Sequence, residues 1–405
     1  MRQTGPVSPS SLEPTGEQLI AGAPPRVEVR VHERIDEIPA DQWNRLIQDN
    51  NPILRYEFLH AMERHGCVGE GFGWLPRHLG IYGPGGLLGA MPLYEKYNSY
   101  GEFVFDQAWA DAYSRSGLAY YPKLVSAIPY TPAMGQRLLC LEKDEDWMQP
   151  LLLQVVLELI PQLGASGFHC LFPLPEEHRL MSARLLSRYD CQFHWHNPGY
   201  RDFDEFLDRL TAKKRKNIRQ ERRRVRDSGV RLRRLSGSEA TDNDWRNFSR
   251  FYNRTFEQKW GIPTFNFDFF REVAARLPDR IVLVLADDRA GHCVAGALMY
   301  CSDSTLYGRH WGCLRWMDAL HFEACYYQGI EFCIERGLRR FEPGAQGEHK
   351  MARGFVPTLT RSAHWIEDER FRQPIAAYVR REQEAIMDYI TGLEAASPYR
   401  QEFRP

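Results

Sequence analysis

The sequence predicts an α/β protein with mixed sheets, built from two similar halves. Residues 306–311 and 338–342 read as strands around a long apolar helical run, residues 318–336. Gly337 ends that run where a C-cap glycine would sit. Strand, helix, strand is a crossover unit, so its two strands should lie parallel in one sheet. The order of elements also repeats. Each half has helices, a hairpin (RHLGIYGPGGLLGAMPLYEK and IVLVLADDRAGHCVAGALMYC), an aromatic strand, a long helix and a strand ending at proline. Finally, 405 residues exceed what one hydrophobic core usually serves.

Taken in order, residues 1–25 are rich in Pro, Gly, Ser and Thr and read as a flexible leader. Residues 27–31 alternate as a strand does, and residues 38–48 and 55–65 read as helices. Residues 77–82 and 87–94 form a hairpin around Gly83-Pro84-Gly85-Gly86. Aromatic strand material runs through 103–106, with loop and turn at 108–112 and 120–122. Strands at 138–141 and 167–172 flank a helix over 147–163. A helix over 178–189 and a short strand over 193–196 complete a first domain, residues 26–200. Residues 201–234 are a basic helix and connection. In the second domain, residues 235–392, helices over 243–258 and 268–276 precede a hairpin (280–286 with 293–301) and the crossover unit. Residues 393–405 are a C-terminal tail.

The formal net charge of −1 hides a segregation. Residues 209–234 hold thirteen Lys/Arg against Glu221 and Asp227, an excess of +11, so the rest of the chain sums to −12. Residues 202–229 have helix composition with a thin apolar stripe of Leu207, Leu210, Ile218 and Val225. Like charges four apart destabilise a helix by roughly 0.2–0.5 kcal/mol per pair, so an anionic ligand is the simplest compensation. A solvated or internally paired helix is the alternative. The candidate phosphate or nucleic-acid contacts are Lys213, Lys214, Arg215, Lys216, Asn217, Arg219, Arg222 and Arg223. No sequence-reading motif accompanies them, so contact would run through phosphates and be salt-sensitive. The nine scattered cysteines form no CxxC pair and read as small buried hydrophobes in a reducing compartment. No membrane span and no secretory signal are found, so a cytoplasmic location is expected.

The chain has no GxxxxGK[ST], GxGxxG or GxSxG. His194 and His196, two apart on one strand face with Trp195 opposite, read as a packed or surface aromatic face rather than half of a metal site, and His321 with Cys325 finds no third ligand in its unit, so no metal is expected. The loop after Glu342 is richer: Gln346, Glu348, His349, Lys350 and Arg353 follow the carboxyl end of a parallel strand, where open α/β sheets bind ligands. Glu342, Glu348, His349, Lys350 and Arg353 suit acid–base work and anion stabilisation, with Gln346 a substrate-binding candidate; an ordinary charged loop is the competing reading. Tyr307, Arg309 and Trp311 alternate along their strand and should share one face, suited either to stacking or to core packing. His321 joins them as a substrate-binding candidate. Asp106, Asp111 and Tyr113 follow the matching strand of the first half and are expected to line a shared cleft.

KKRKNIRQERRRV ahead of the second half, and YGRHWG followed by LHFEACYYQGIEFCIERGLRRFEPGAQGEHKMARGF, resemble the FemAB-like peptidoglycan biosynthesis/recognition proteins. Those are relatives of the Fem aminoacyltransferases within the GNAT acetyltransferase superfamily. The likeness runs over residues 27–392 and implies two GNAT-like domains. Two departures stand out. Where a GNAT that binds acetyl-CoA has [QR]xxGx[GA], this chain has Cys313-Leu314-Arg315-Trp316-Met317, without glycines for a pyrophosphate. Where Fem enzymes have FKxGF, Met351-Ala352-Arg353 precede Gly354-Phe355, so Ala352 stands in the lysine's place.

The resemblance therefore implies acyl transfer to an amine. The expected donor is aminoacyl-tRNA, no cofactor is required, and the acceptor is a peptidoglycan precursor or a small molecule. An acyl-CoA-dependent N-acetyltransferase with an atypical loop is one alternative. A non-catalytic module recognising cell-wall precursors or RNA is the other.

Overall fold

A computed structural model describes residues 27–258, 261–345 and 347–403. The expected leader and Gln346 lie outside the described residues. The strands are β1 (Glu28–His32), β2 (Trp74–Pro76), β3 (His78–Gly83), β4 (Gly86–Met91), β5 (Leu93–Lys96), β6 (Lys123–Ser126), β7 (Leu139–Cys140) and β8 (Gly167–Leu171). They continue with β9 (Leu186–His196), β10 (Arg231–Leu235), β11 (Ile281–Asp287), β12 (Cys293–Cys301), β13 (Thr305–Cys313), β14 (Arg340–Glu342) and β15 (Val356–Ile366). A small sheet has the order β1-β3-β4-β7, and a large one the order β10-β11-β12-β13-β14-β9-β15-β8-β6-β5-β2. The fold is thus α/β with mixed sheets, two GNAT-like units in tandem.

The crossover unit forms as expected. β13 and β14 are parallel, with Thr305 opposite Arg340 and Tyr307 opposite Glu342. Gly337 caps the intervening helix at φ 65°, in the left-handed region open to glycine. Both hairpins are present, β3 with β4 and β11 with β12. Pro92 divides β4 from β5 and moves the chain from the small sheet into the large one; proline has no N–H for a ladder, so a strand breaks there cheaply.

The two units exchange their last strands. β9, from the first half, lies between β14 and β15 of the second; β15 lies between β9 and β8 of the first. β9 and β15 pair antiparallel from Val356 opposite His194 to His364 opposite Leu186. The halves also share a core: Phe58 stands edge-on to Phe269 at 5.3 Å and to Tyr300 at 5.5 Å.

Several sequence expectations change. Residues 103–106 form no strand, and residues 108–112, read as loop and turn, lie in a helix (Gln107–Arg115). The helix expected over 178–189 is shorter, Pro175–Ser182, and gives way to the long strand β9. The long helix begins at Leu320 and contains a π turn, Glu323–Tyr327. The basic stretch is two helices, Phe203–Arg209 and Ala212–Asp227. Leu210 is extended between them, bridging to Tyr399 of the tail. All four residues of the expected apolar stripe are buried. No helix among the described residues is long and apolar enough to cross a membrane.

Strand exchange predicts that residues 26–200 alone will show no cooperative thermal unfolding, because β8 and β9 lose the strand between them. Co-expression with residues 201–405 should restore it; a cooperative transition in the isolated first half would refute the exchange as an energetic requirement.

Candidate functional site

β13 and β14 stay paired only through Tyr307 and Glu342, then part. In the β12–β13 ladder, Leu298 faces His310 while Met299 faces Gly308, so Arg309 is the extra residue of a β-bulge. A one-residue insertion reverses side-chain parity. Tyr307 therefore packs in the core shared by the two halves, and so does His310, against Tyr252, Phe265 and Phe270. Trp311 points to the opposite face. The single aromatic–cationic wall expected from alternation is split by the bulge.

On the shared-core side the first half reaches into the parting strands. The Tyr130 carbonyl accepts from Arg309 Nη2, Met134 N donates to Glu342 Oε2 at 3.2 Å, and Asn51 Nδ2 donates to the Tyr307 hydroxyl at 3.2 Å. Arg340 Nε approaches Glu342 Oε1 at 3.0 Å as an ion contact without hydrogen-bond alignment. Burial raises the Glu342 carboxyl and lowers the Arg309 guanidinium to about 10. Tyr307, Arg309 and Glu342 thus join the halves together.

The other side of β13 carries a connected polar cluster. Trp311 meets His321 edge-on at 5.3 Å, and His321 meets Tyr326 at 5.3 Å. The Tyr326 hydroxyl lies 2.9 Å from His349 Nε2. Gly347, at φ 116°, admits this seat: a Cβ there would lie 2.3 Å from the His349 ring. Burial, with Lys350 and Arg353 nearby, lowers the His349 pKa, so the ring is neutral at pH 7. Lys350 is buried and donates to the Gly344 carbonyl at 2.6 Å. Its desolvation brings the ammonium pKa from 10.5 to about 8. Glu348 points outward and accepts from Tyr389 Oη at 2.5 Å.

Glu221, the acid that interrupts the bases of the helix Ala212–Asp227, fixes this loop. It accepts from Arg353 at 2.7 and 3.2 Å and from the Tyr327 hydroxyl. Arg353 in turn lies 3.3 Å over the Phe322 ring. Glu221 gave no signal as a site residue in the sequence beyond being the lone acid among nine bases. Several of those bases are engaged: Arg222 bridges Glu323 and Glu331, Arg215 meets Asp208 at 3.3 Å, Arg219 meets Asp204 at 3.2 Å, and Arg224 meets Asp318 at 3.0 Å. Internal pairing therefore answers part of the charge crowding. Among the described residues, Lys213, Lys214, Lys216 and Arg223 have no acidic partner, and Asn217 is exposed. A groove of about 1010 Å³ runs along this helix, lined by Lys216, Arg223 and Arg226 and also by Glu323 and Glu331.

Asp106, Asp111 and Tyr113 are not brought to this loop. Asp106 is buried with Lys123, which also donates to Glu102 at 2.8 Å. Glu102, Asp106 and His169 offer ligand atoms within 4.8 Å of one another, and the Lys123 ammonium supplies the positive charge between the two acids. Tyr113 stacks on Phe371 at 4.0 Å, and Asp111 is exposed on the same short helix. Phe371 and the Glu348 partner Tyr389 lie on one helix, Glu369–Ala395, eighteen residues or about 27 Å apart. The expectation of one shared cleft fails because residues 107–115 leave the sheet as a helix.

Two GNAT-like units with exchanged strands and a polar loop after β14 define a tandem protein of the Fem type. A model of the FemAB-like family, described as peptidoglycan biosynthesis/recognition, matches residues 34–401, and the chain belongs to that family. No curated protein matches it in sequence. Among solved structures it is similar to FemX, at 12% identity and a TM-score of 0.50, over 84% of this chain and 98% of FemX. L-PGS from Bacillus licheniformis aligns at 12% identity and a TM-score of 0.47, over 74% of this chain and 87% of that one.

Because the folded protein holds the Lys350 proton less tightly than the unfolded chain, its penalty is complete below about pH 8. Stability should rise between about 8 and 10.5, where the unfolded state binds more protons. Lys350→Met should add about 3 kcal/mol at pH 7 and flatten that rise. Denaturant midpoints of both proteins across this range test it; parallel curves would show that Lys350 carries no penalty.

Proposed function

We propose that this protein is an N-acyltransferase that moves an aminoacyl group from aminoacyl-tRNA to an amine, with a peptidoglycan precursor as the acceptor class. One observation carries the reading. Glu221 binds the helix with the unpaired bases to the loop with His349, Lys350 and Arg353, so phosphate-binding and acid–base groups form one connected unit. The family description supports the acceptor class.

The chemistry needs a neutral amine, a carbonyl held close and donors for the developing oxyanion; positioning supplies much of the rate. His349, neutral and hydrogen-bonded with Tyr326, takes the amine proton. Lys350, buried with the Gly344 carbonyl on one of its three donors, presents positive charge to the oxyanion and takes over the work of the lysine that Ala352 replaces. Lys213, Lys214, Lys216 and Arg223 hold donor phosphates, while Arg215, Arg219 and Arg222 set the helix in place through their ion pairs. Glu348 is a second proton acceptor at the loop's exposed rim.

Changing Lys213, Lys214, Lys216 and Arg223 to Glu should weaken tRNA binding by filter assay and reduce the log–log salt slope by about 3 to 4. His349→Ala should lower transfer of a labelled aminoacyl group from charged tRNA to a muropeptide amine by about 10²–10⁴-fold. Unchanged tRNA binding, or undiminished transfer, would overturn the reading.

A further inference from the structure

A second basic surface lies on the opposite face of the β13 sheet. Along the helix Asp242–Glu257, Trp245, Phe248 and Phe251 turn inward, while Arg246, Arg250 and Arg254 stand exposed on the outer side. Spaced i, i+4, i+8, they form one ladder with a rise of about 6 Å per step, close to the repeat of an extended sugar–phosphate backbone. None of the three has an acidic partner among the described residues. Arg246 lies 5.7 Å over the Phe267 ring. A groove of about 440 Å³ runs along the ladder, with Asn253 beside it and Glu257 at its far end.

The ladder leads to the end of β13. Thr255 Oγ1 donates to the Trp311 carbonyl at 3.1 Å, and Gly312 lies so close that a Cβ there would meet the Phe251 carbonyl at 2.2 Å. The loop of residues 313–317 starts at that point and carries Trp316, whose 81% exposure is extreme for a tryptophan. Asp318, just after this loop, is held by Arg224 of the first basic helix at 3.0 Å. An exposed indole therefore stands where the two basic surfaces converge.

We propose that Arg246, Arg250, Arg254 and Trp316 form a track for a single-stranded polyribonucleotide, the arginines holding successive phosphates and the indole stacking on a base. Arginine and an exposed aromatic ring in series are what sequence-tolerant single-strand binding uses. The inference rests on the proposed function, and gives the donor's unpaired 3′ end a path separate from the helix Ala212–Asp227. An anionic headgroup layer would use both the arginines and the exposed indole, but it has no use for the regular rise of about 6 Å per arginine, which suits successive phosphates of one strand.

Fluorescence anisotropy with a labelled eight-nucleotide oligoribonucleotide and with whole tRNA tests this on the full-length protein. The triple variant Arg246→Glu, Arg250→Glu, Arg254→Glu should weaken oligoribonucleotide binding at least tenfold. The corresponding triple Arg→Gln variant should lower the salt slope by about 2, from three phosphates lost on a single strand. Trp316→Ala should weaken binding about tenfold with the slope unchanged. Undiminished oligoribonucleotide binding by both triple variants, while the Lys213/Lys214/Lys216/Arg223 variant still loses tRNA, would overturn the track and leave the proposed function standing. A wild-type protein that binds neither RNA would overturn both. Loss of binding to phosphatidylglycerol vesicles with RNA binding retained would overturn the track in favour of a membrane contact.

Discussion

Residues Leu186–His196 and Val356–Ile366 lie side by side over nine residue pairs, each flanked on its other edge by the opposite half of the chain. Main-chain hydrogen bonds in a buried sheet must all be made, because an unpaired buried N–H or C=O costs about as much as a lost hydrogen bond. Neither half can meet that demand alone. The exchange fixes how the two units stand to each other, and it sets the loop between β14 and β15 at a defined place. That loop leaves one half, presents His349, Lys350 and Arg353, and returns as a strand of the other half's sheet.

The same dependence explains how the parting of β13 and β14 is used. One side is occupied by residues 130–134 of the first half, whose backbone engages Arg309 and Glu342. The opposite side is left to the loop and to the helix Ala212–Asp227. Charged groups thus divide by role. Arg309 and Glu342 are desolvated and spend their polar capacity on the joint between the halves, whereas Lys350 keeps donor capacity beyond its one carbonyl. A desolvated ammonium is costly to stability, and such costs gather where chemistry requires them.

Much of this was legible in the sequence wherever the signal is local. The crossover unit, the Gly337 cap and both hairpins rest on periodicity and turn residues, which the chain carries within a few positions. The loop after Glu342 was legible as a polar cluster for the same reason. What escaped has non-local causes. Alternation placed Tyr307, Arg309 and Trp311 on one face, but the bulge at Arg309 is set by the register with β12 and reverses the face of all that follows. The helix Gln107–Arg115 reads as loop because Trp109 and Tyr113 bury against residues more than fifty positions away, His364 and Phe371. Glu221 looked like a lone acid in a field of bases, and only its distant partners Tyr327 and Arg353 show what it holds.

The exchanged strands also impose an order in time. On a ribosome, β9 is finished at His196, but its flanking strands β14 and β15 are not complete until Ile366 has emerged. At synthesis rates of about 5–20 residues per second, the first half waits roughly ten to thirty seconds with both edges of β9 open. An open strand edge is a template for pairing with another chain. The arrangement that rigidifies the finished protein makes its nascent form dependent on shielding, and yield during synthesis will respond to translation speed between residues 196 and 366.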